Sequence, residues 1–363
     1  MNSIELTKYM NRSTRDIAKR AIWGSVLNLR ELLFLLRIRR ALKKSAEKRI
    51  RSEERGLHIP AFLISSITSS CNLFCKGCYA RANNICGTKE KSAMLTADEW
   101  SGIFKEAREL GISFNLLAGG EPLLRRDVLV AASQYKDIVF PVFTNGTLFD
   151  HDYIDLFNKN RNLVPIVSLE GDKKTTDQRR GEGTYKRLTD SLKQMKNRGL
   201  LYGASITVTK GNLNEITSER FINTLNSLGC RIVFFIEYVP IDNKSGHIAP
   251  DEEDRIILEK MQELLQNAYK RMLFLSFPGD EKHMGGCLAA GRGFFHINSD
   301  GAAEACPFSP YSDYNIKVGG LKKALQSSFF KKVRELNKNE INHTGGCSLF
   351  EQEERVMSLF MGE

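Results

Sequence analysis

The stretch SSCNLFCKGCYARANNIC, Ser69 to Cys86, holds four of the chain's eight cysteines. Cys71, Cys75 and Cys78 are spaced four and then three apart, so one metal centre is within reach of all three thiols. Structural zinc closes a shell of four ligands, often built from two Cys-x2-Cys pairs. Here the set stops at three, and no histidine lies within the loop. A cubane iron–sulfur cluster suits three thiolates better, because its fourth iron is then left for an exchangeable ligand.

The rest of the composition supports a metal reading. Eight cysteines in 363 residues are too few for a secreted disulfide scaffold, and no cleavable signal peptide precedes them. Clustered thiols in such a chain read as metal ligands in a reducing compartment, which places the protein in the cytoplasm. The net charge is +10, but residues 1–56 alone carry 15 Lys+Arg against 6 Asp+Glu. The remaining body is close to neutral, so a nucleic-acid-binding face on it is unsupported.

The elements that must position the thiols follow from periodicity. Residues 14–55 contain no proline and read as one or two helices. Ile22, Val26, Leu29, Leu33 and Leu36 fall on one face, which Trp23, Leu27, Phe34 and Ile38 widen and five basic residues from Arg37 to Lys44 follow. Arg30 and Glu31 interrupt it too early for a membrane span, which needs about 20 apolar residues. Two readings stay open, packing against the protein's own body or a second subunit, and contact with an anionic membrane surface. From residue 60 the pattern changes to strand, loop and helix in succession. PAFLISSITSS, SFNLLAGGEP, IVFPVFTNGT, LVPIVSLEG, LYGASITVTKGN and CRIVFFIEYVP read as strands, each followed by a helical segment. One of those helices opens on a Thr96/Glu99 capping box. Such alternation predicts an α/β fold, a parallel barrel closed or partly closed.

Placed on that scheme, the unusual residues gather. Cys71–Cys78 leave the first strand, Gly119, Gly120 and Glu121 the second, and Asn145 the third. Glu170 leaves the fourth, Asn212 the fifth, and Glu237 lies near the end of the sixth. Carboxyl ends of strands are where parallel barrels build their sites. Glu237 and Tyr238 alternate, so at most one faces inward. Cys230 starts the sixth strand at the wrong end and reads as a buried thiol. His247, His283, His296 and His343 show no ligand spacing.

These residues resemble the radical S-adenosylmethionine superfamily, whose signature is Cys-x3-Cys-x-aromatic-Cys on the first loop of a partial (β/α)6 barrel. The resemblance covers roughly residues 60–270. Gly119-Gly120-Glu121-Pro122 resembles the family turn that receives the methionyl amino group, and Thr144-Asn145-Gly146 the turn after the third strand. Ser168-Leu169-Glu170-Gly171 resembles the segment near the ribose, with Glu for Asp. Arg180-Gly181 resembles a pair whose arginine meets the cofactor carboxylate. Gly77 stands where an aromatic residue is usual, and Tyr79 follows one residue after the third cysteine. The resemblance implies a 4Fe–4S cluster on Cys71, Cys75 and Cys78 and reductive cleavage of S-adenosylmethionine to a 5′-deoxyadenosyl radical. It implies an electron donor such as flavodoxin or ferredoxin as well. Cys86, trailing the loop, has a radical quencher as its less favoured reading.

A second thiol group lies beyond the barrel. Cys287, Gly301-x4-Cys306 and Cys347, with a hairpin expected around Asp300-Gly301, resemble the start of the SPASM and Twitch extensions that hold auxiliary clusters. Three cysteines allow one auxiliary 4Fe–4S cluster at most, the shortened Twitch type. The expected organisation is a basic helical extension at 1–56, the core barrel at 57–275 and an auxiliary-cluster domain at 276–363. The leading expectation for function is hydrogen abstraction from a peptide or protein substrate. A small molecule or membrane lipid is the alternative, and a non-enzymatic metal-binding or redox partner protein is the alternative of another class.

Overall fold

The computed structural model describes residues 3–24, 28–83, 85–87, 94–241, 245–278, 284–338 and 347–361. Val26, Leu27, His283 and His343 lie outside the described residues, as does the side chain of Trp23.

Short apolar runs form the strands. They are β1 (Phe62–Ser66), β2 (Phe114–Ala118), β3 (Phe140–Thr144), β4 (Leu163–Ser168), β5 (Gly203–Val208), β6 (Ile232–Glu237) and β7 (Leu273–Phe277). A two-residue pair, β8 (His296–Ile297) and β9 (Ala303–Glu304), completes the sheet. The order is β7-β6-β5-β4-β3-β2-β1-β8-β9, with only the β8–β9 step antiparallel. Helices cover the outer face, where Leu63, Leu117, Val142, Val167 and Phe235 join Trp100, Phe104 and Leu188 in the main core. A strand buried on both faces needs apolar residues at nearly every position, which explains the continuous runs. The helix Ala97–Leu110 opens on the Thr96/Glu99 capping box and closes on Gly111. β7 was not expected. The preceding helix stops at Ala268, and no helical pattern follows the run LFLSF to mark it as another strand–helix unit.

The N-terminal segment forms two helices, α1 (Ser3–Gly24) and α2 (Leu29–Glu54). The apolar stripe drawn above is corrected by the structure. Leu35, Ile38 and Leu42 of α2 pack against Phe114, Val139, Val164 and Ile166, while Leu29, Leu33 and Leu36 face solvent. Polar anchors set this rotation. Arg49 is 1% exposed and donates to Asn11 of α1, to the Gly111 carbonyl and to Ser113 Oγ. Asn28 caps α2 and donates to the Gly199 carbonyl at 2.7 Å, and Arg161 pairs with Glu31 at 2.9 Å. Gly111, Ser113, Arg161 and Gly199 lie in segments that precede strands, so α2 runs across the end of the sheet opposite the thiols. No described helix is long and apolar enough to cross a membrane.

The hairpin expected around Asp300-Gly301 is present, with Gly301 at φ +90°. It pairs through β8 with β1, and the boundary expected at 275 falls inside β7. The C-terminal part therefore extends the same sheet.

Candidate active site

The first loop leaves β1 and is held by its neighbours at the strand ends. The turn after β2 lies against it, with Gly120 N–H donating to the Thr68 carbonyl and Glu121 N–H to the Ser70 carbonyl, both at 2.8 Å. A Cβ on Gly119 or Gly120 would collide with those backbone segments, and Gly119 has φ +126°. Glycine is required for this approach. Glu121 is 1% exposed and turns both carboxylate oxygens inward. Oε1 accepts from Thr144 Oγ1 at 2.6 Å and Leu123 N at 3.0 Å, and Oε2 from Asn145 N at 2.7 Å. Burial pushes its pKa up to about 7 against those bonds. The carboxylate thus clamps two turns together. Asn145 reaches the loop directly, with Nδ2 at 2.8 Å from Asn72 Oδ1 and 3.9 Å from Cys71 Sγ.

On the far side, Glu170 and Arg180 form a buried pair. Arg180 Nε donates to Glu170 Oε1 at 2.8 Å, and Thr207 N to Oε2 at 3.0 Å. Burial alone would raise the Glu170 pKa, but the Arg180 and Arg179 guanidinium groups outweigh it and hold the group below its ordinary value. Arg180 Nη1 also lies 3.8 Å from Cys75 Sγ, and Lys76 N–H donates to the Arg179 carbonyl at 2.9 Å. Asn212 ties the Glu170 carbonyl to the exit of β5. Ser168 faces Ser205 across 3.2 Å. Arg180, expected to meet a cofactor carboxylate, already holds a carboxylate and a thiol of its own chain.

The aromatic position is settled by Gly77. It has φ +64°, and a Cβ there would sit 2.7 Å from the ring of Tyr238. Tyr238 thus takes the inward side of β6, beside Arg179, while Glu237 turns outward to Arg255 at 2.9 Å. Tyr79 is half-buried instead, against Phe308, with ring centroids 5.1 Å apart.

Cys71 and Cys75 differ in their electrostatic surroundings. Cys71 is lowered to about 6, chiefly by a hydrogen bond with Cys86, with Leu73 N–H and Arg81 assisting. Thiolate is the ligating form. Burial raises Cys75, and Arg180 opposes that rise. Among the described residues, no three His, Cys, Asp or Glu side chains converge as they must on a single metal ion. A cubane makes a different demand, one thiolate for each of three separate irons, and three thiols on one loop with a low-pKa member fit it. Cys230 is fully buried, which pushes its pKa to about 12.

The segments that carry Cys287 and Cys306 are joined, with the Ala290 N–H donating to the Ala305 carbonyl at 3.0 Å. Both cysteines are buried, and Cys347 packs half-buried against the same core. Reading the sequence missed one polar chain beside them. His296 Nδ1 meets Glu304 Oε2 at 2.7 Å and Nε2 meets Ser66 Oγ at 2.7 Å, linking the hairpin to β1. Its only trace in the sequence was a histidine and a glutamate in alternating segments.

Residues 65–228 match the family model described as the Radical SAM superfamily. The AdoMet-dependent heme synthase of Methanosarcina barkeri is 26% identical over 303 residues, 76% of this chain and 85% of that protein. The sporulation killing factor maturation protein SkfB of Bacillus subtilis is 25% identical over 165 residues, 44% of this chain and 38% of that protein. The crystal structure of Streptococcus suis SuiB bound to S-adenosylmethionine shares the fold, with TM-score 0.65 at 17% identity over 81% of this chain and 72% of that one.

Proposed function

We propose that this chain, whose residues 65–228 match the radical SAM family model, is an iron–sulfur enzyme that uses S-adenosylmethionine to remove hydrogen from an unactivated carbon of an apolar small molecule. The observation carrying this reading is the inner face of the sheet. Phe143 of β3 and Phe234 of β6 meet across it with ring centroids 5.2 Å apart, forming a floor above α2. Above that floor Ser168, Thr207, Ile236 and Phe277 are only half-buried, at the end where the thiol loop lies. A cup of that lining receives apolar carbon and offers hydroxyls for orientation. The long match to a heme synthase supports a small molecule, with a heme-type macrocycle the first compound to test.

Cys71, Cys75 and Cys78 would hold the 4Fe–4S cluster, whose chemistry with S-adenosylmethionine is one-electron cleavage of a carbon–sulfur bond. The chain's own residues orient and exclude water. Gly119 and Gly120 let the turn approach the loop, Asn145 steadies Cys71, and the Glu170–Arg180 pair fixes Cys75. Cys287, Cys306 and Cys347 would hold one auxiliary cluster. We place the reaction in the reducing cytoplasm, with flavodoxin or ferredoxin as donor and the N-terminal helices at a membrane surface. A peptide or protein substrate is the second reading, favoured by the match to SkfB. The helical N-terminal segment lies under the sheet and adds no peptide-holding surface at the mouth.

The deciding experiment is anaerobic reconstitution followed by turnover with deuterated candidates of both classes. Deuterium from an apolar small molecule should appear in 5′-deoxyadenosine. Transfer from peptides alone would replace the first reading by the second, and no cleavage at all would sink both.

A further inference from the structure

α2 presents two faces of opposite character. One carries Ile38, Leu42 and Arg49 into the protein. The other leaves Leu29 69%, Leu33 59% and Leu36 38% exposed. Arg30, Arg37, Arg39, Arg40, Lys43 and Lys44 surround these leucines, and no exposed carboxylate lies between residues 29 and 46.

A second observation adjoins the first. A cleft of about 640 Å³ opens beside the start of α2, lined by Asn28, Lys196, Arg231, Tyr269, Lys270 and Arg271. Lys196 donates to the Ser227 carbonyl at 2.8 Å, and Arg231 Nη1 to Asn226 Oδ1 at 3.0 Å, which fixes both cations at the wall. Glu31, the carboxylate among the lining residues, is neutralised by Arg161 at 2.9 Å. The cleft is built from segments that precede β5, β6 and β7, so it shares the end of the sheet that α2 covers.

We propose that this end of the protein docks on an anionic phospholipid surface. Leu29, Leu33 and Leu36 enter the boundary between headgroups and acyl chains, the arginines and lysines of α2 meet the surface charge, and the basic cleft takes one anionic headgroup. Charge complementarity selects this occupant. A second copy of the chain would bring one strongly basic segment against another. The consequence for the reaction rests on the active site proposed above. With α2 on the membrane, the mouth of the barrel faces away from the bilayer. The substrate therefore arrives from the aqueous side, and lipids of the docking bilayer are not the substrate.

The test is sedimentation of the intact, reconstituted protein with vesicles of phosphatidylcholine, with or without phosphatidylglycerol. Two double variants probe the two parts, L33E with L36E and K270E with R271E, and all four positions lie outside the cluster machinery. The intact protein should bind only the anionic vesicles and dissociate as salt rises. Each double variant should bind at least about tenfold more weakly. Both should form 5′-deoxyadenosine as the intact protein does, which shows that they fold. Absence of binding by the intact protein, or undiminished binding by the variants, overturns the proposal. A dimer that L33E with L36E dissociates does so too, by making the leucine face a protein contact. Loss of 5′-deoxyadenosine in the intact protein, with vesicle binding kept, would strike the reaction and leave the docking intact.

Discussion

Glu170 is 1% exposed and still ionised, because Arg180 and Arg179 stand beside it and Thr207 N–H donates to its second oxygen. Removing its charge would strand Arg180 in the interior. Glu170→Gln should therefore destabilise the protein by about 3–5 kcal/mol, read as a lower denaturant midpoint. The pH dependence has a definite sign. The folded-state pKa lies below the ordinary 4.5, so the pair's contribution is complete above that value. It is lost as pH falls through the lowered value. The variant should lack that part of the acid destabilisation, and equal acid profiles would refute the pairing. The sequence placed Glu121, Asn145 and Glu170 at strand ends, where the structure has them, and named Arg180 from the family resemblance alone. It did not show that Glu121 would clamp Thr144 and Asn145, or that Arg180 would reach both Glu170 and Cys75. Short motifs fix residue types along the chain, whereas these partners come from neighbouring strands.

At the scale of elements, α2 shows why an apolar stripe is a weak guide to burial. Leucines occupy both faces of this helix, so its 3.6-residue period fits two rotations almost equally. The choice between them was made by Arg49 and Glu31, charged residues that sequence patterning assigns to solvent. Arg49 is buried because Asn11, the Gly111 carbonyl and Ser113 accept hydrogen bonds from its Nε, Nη1 and Nη2, and burial lowers its pKa to about 10. The rotation has a direct test. Ile38→Ala should cost about 2–4 kcal/mol through a cavity beneath the sheet. Leu33→Ala, on the exposed face, should change stability by less than about 0.5 kcal/mol. Equal losses in thermal unfolding would restore the stripe first drawn from the sequence. The six strands β1–β6 were legible because each repeats the same sequence of strand, polar exit and amphipathic helix. β7 was not, since no helical pattern follows it, whereas the turn between β8 and β9 was announced by Asp300-Gly301.

Across the whole molecule, two thiol groups far apart in sequence are joined through one sheet. β8 pairs with β1, and Ser66, His296 and Glu304 cross that seam as a continuous buried chain. Tyr79, next to Cys78, packs on Phe308, two residues beyond Cys306. The loop that carries Cys71, Cys75 and Cys78 is therefore braced by the hairpin segment that leads to Cys306. Iron content separates the two centres. The reconstituted protein should hold about eight irons if both clusters are cubanes, and the variant with Cys71, Cys75 and Cys78 all changed to Ala about four. That triple variant should form no 5′-deoxyadenosine. Cys347 carries the sharper question, because 40 residues separate it from Cys306 and it starts a one-turn helix, Ser348–Glu351, packed on the same core. Cys347→Ala should lower iron at the auxiliary centre and impair product formation more than cofactor cleavage. Its removal opens only a small gap at a half-buried site, so a mere packing role would leave both the iron count and the ratio of product to 5′-deoxyadenosine unchanged. That outcome would return Cys347 to the core as an ordinary thiol and leave Cys287 and Cys306 too few for a cluster held by three cysteines.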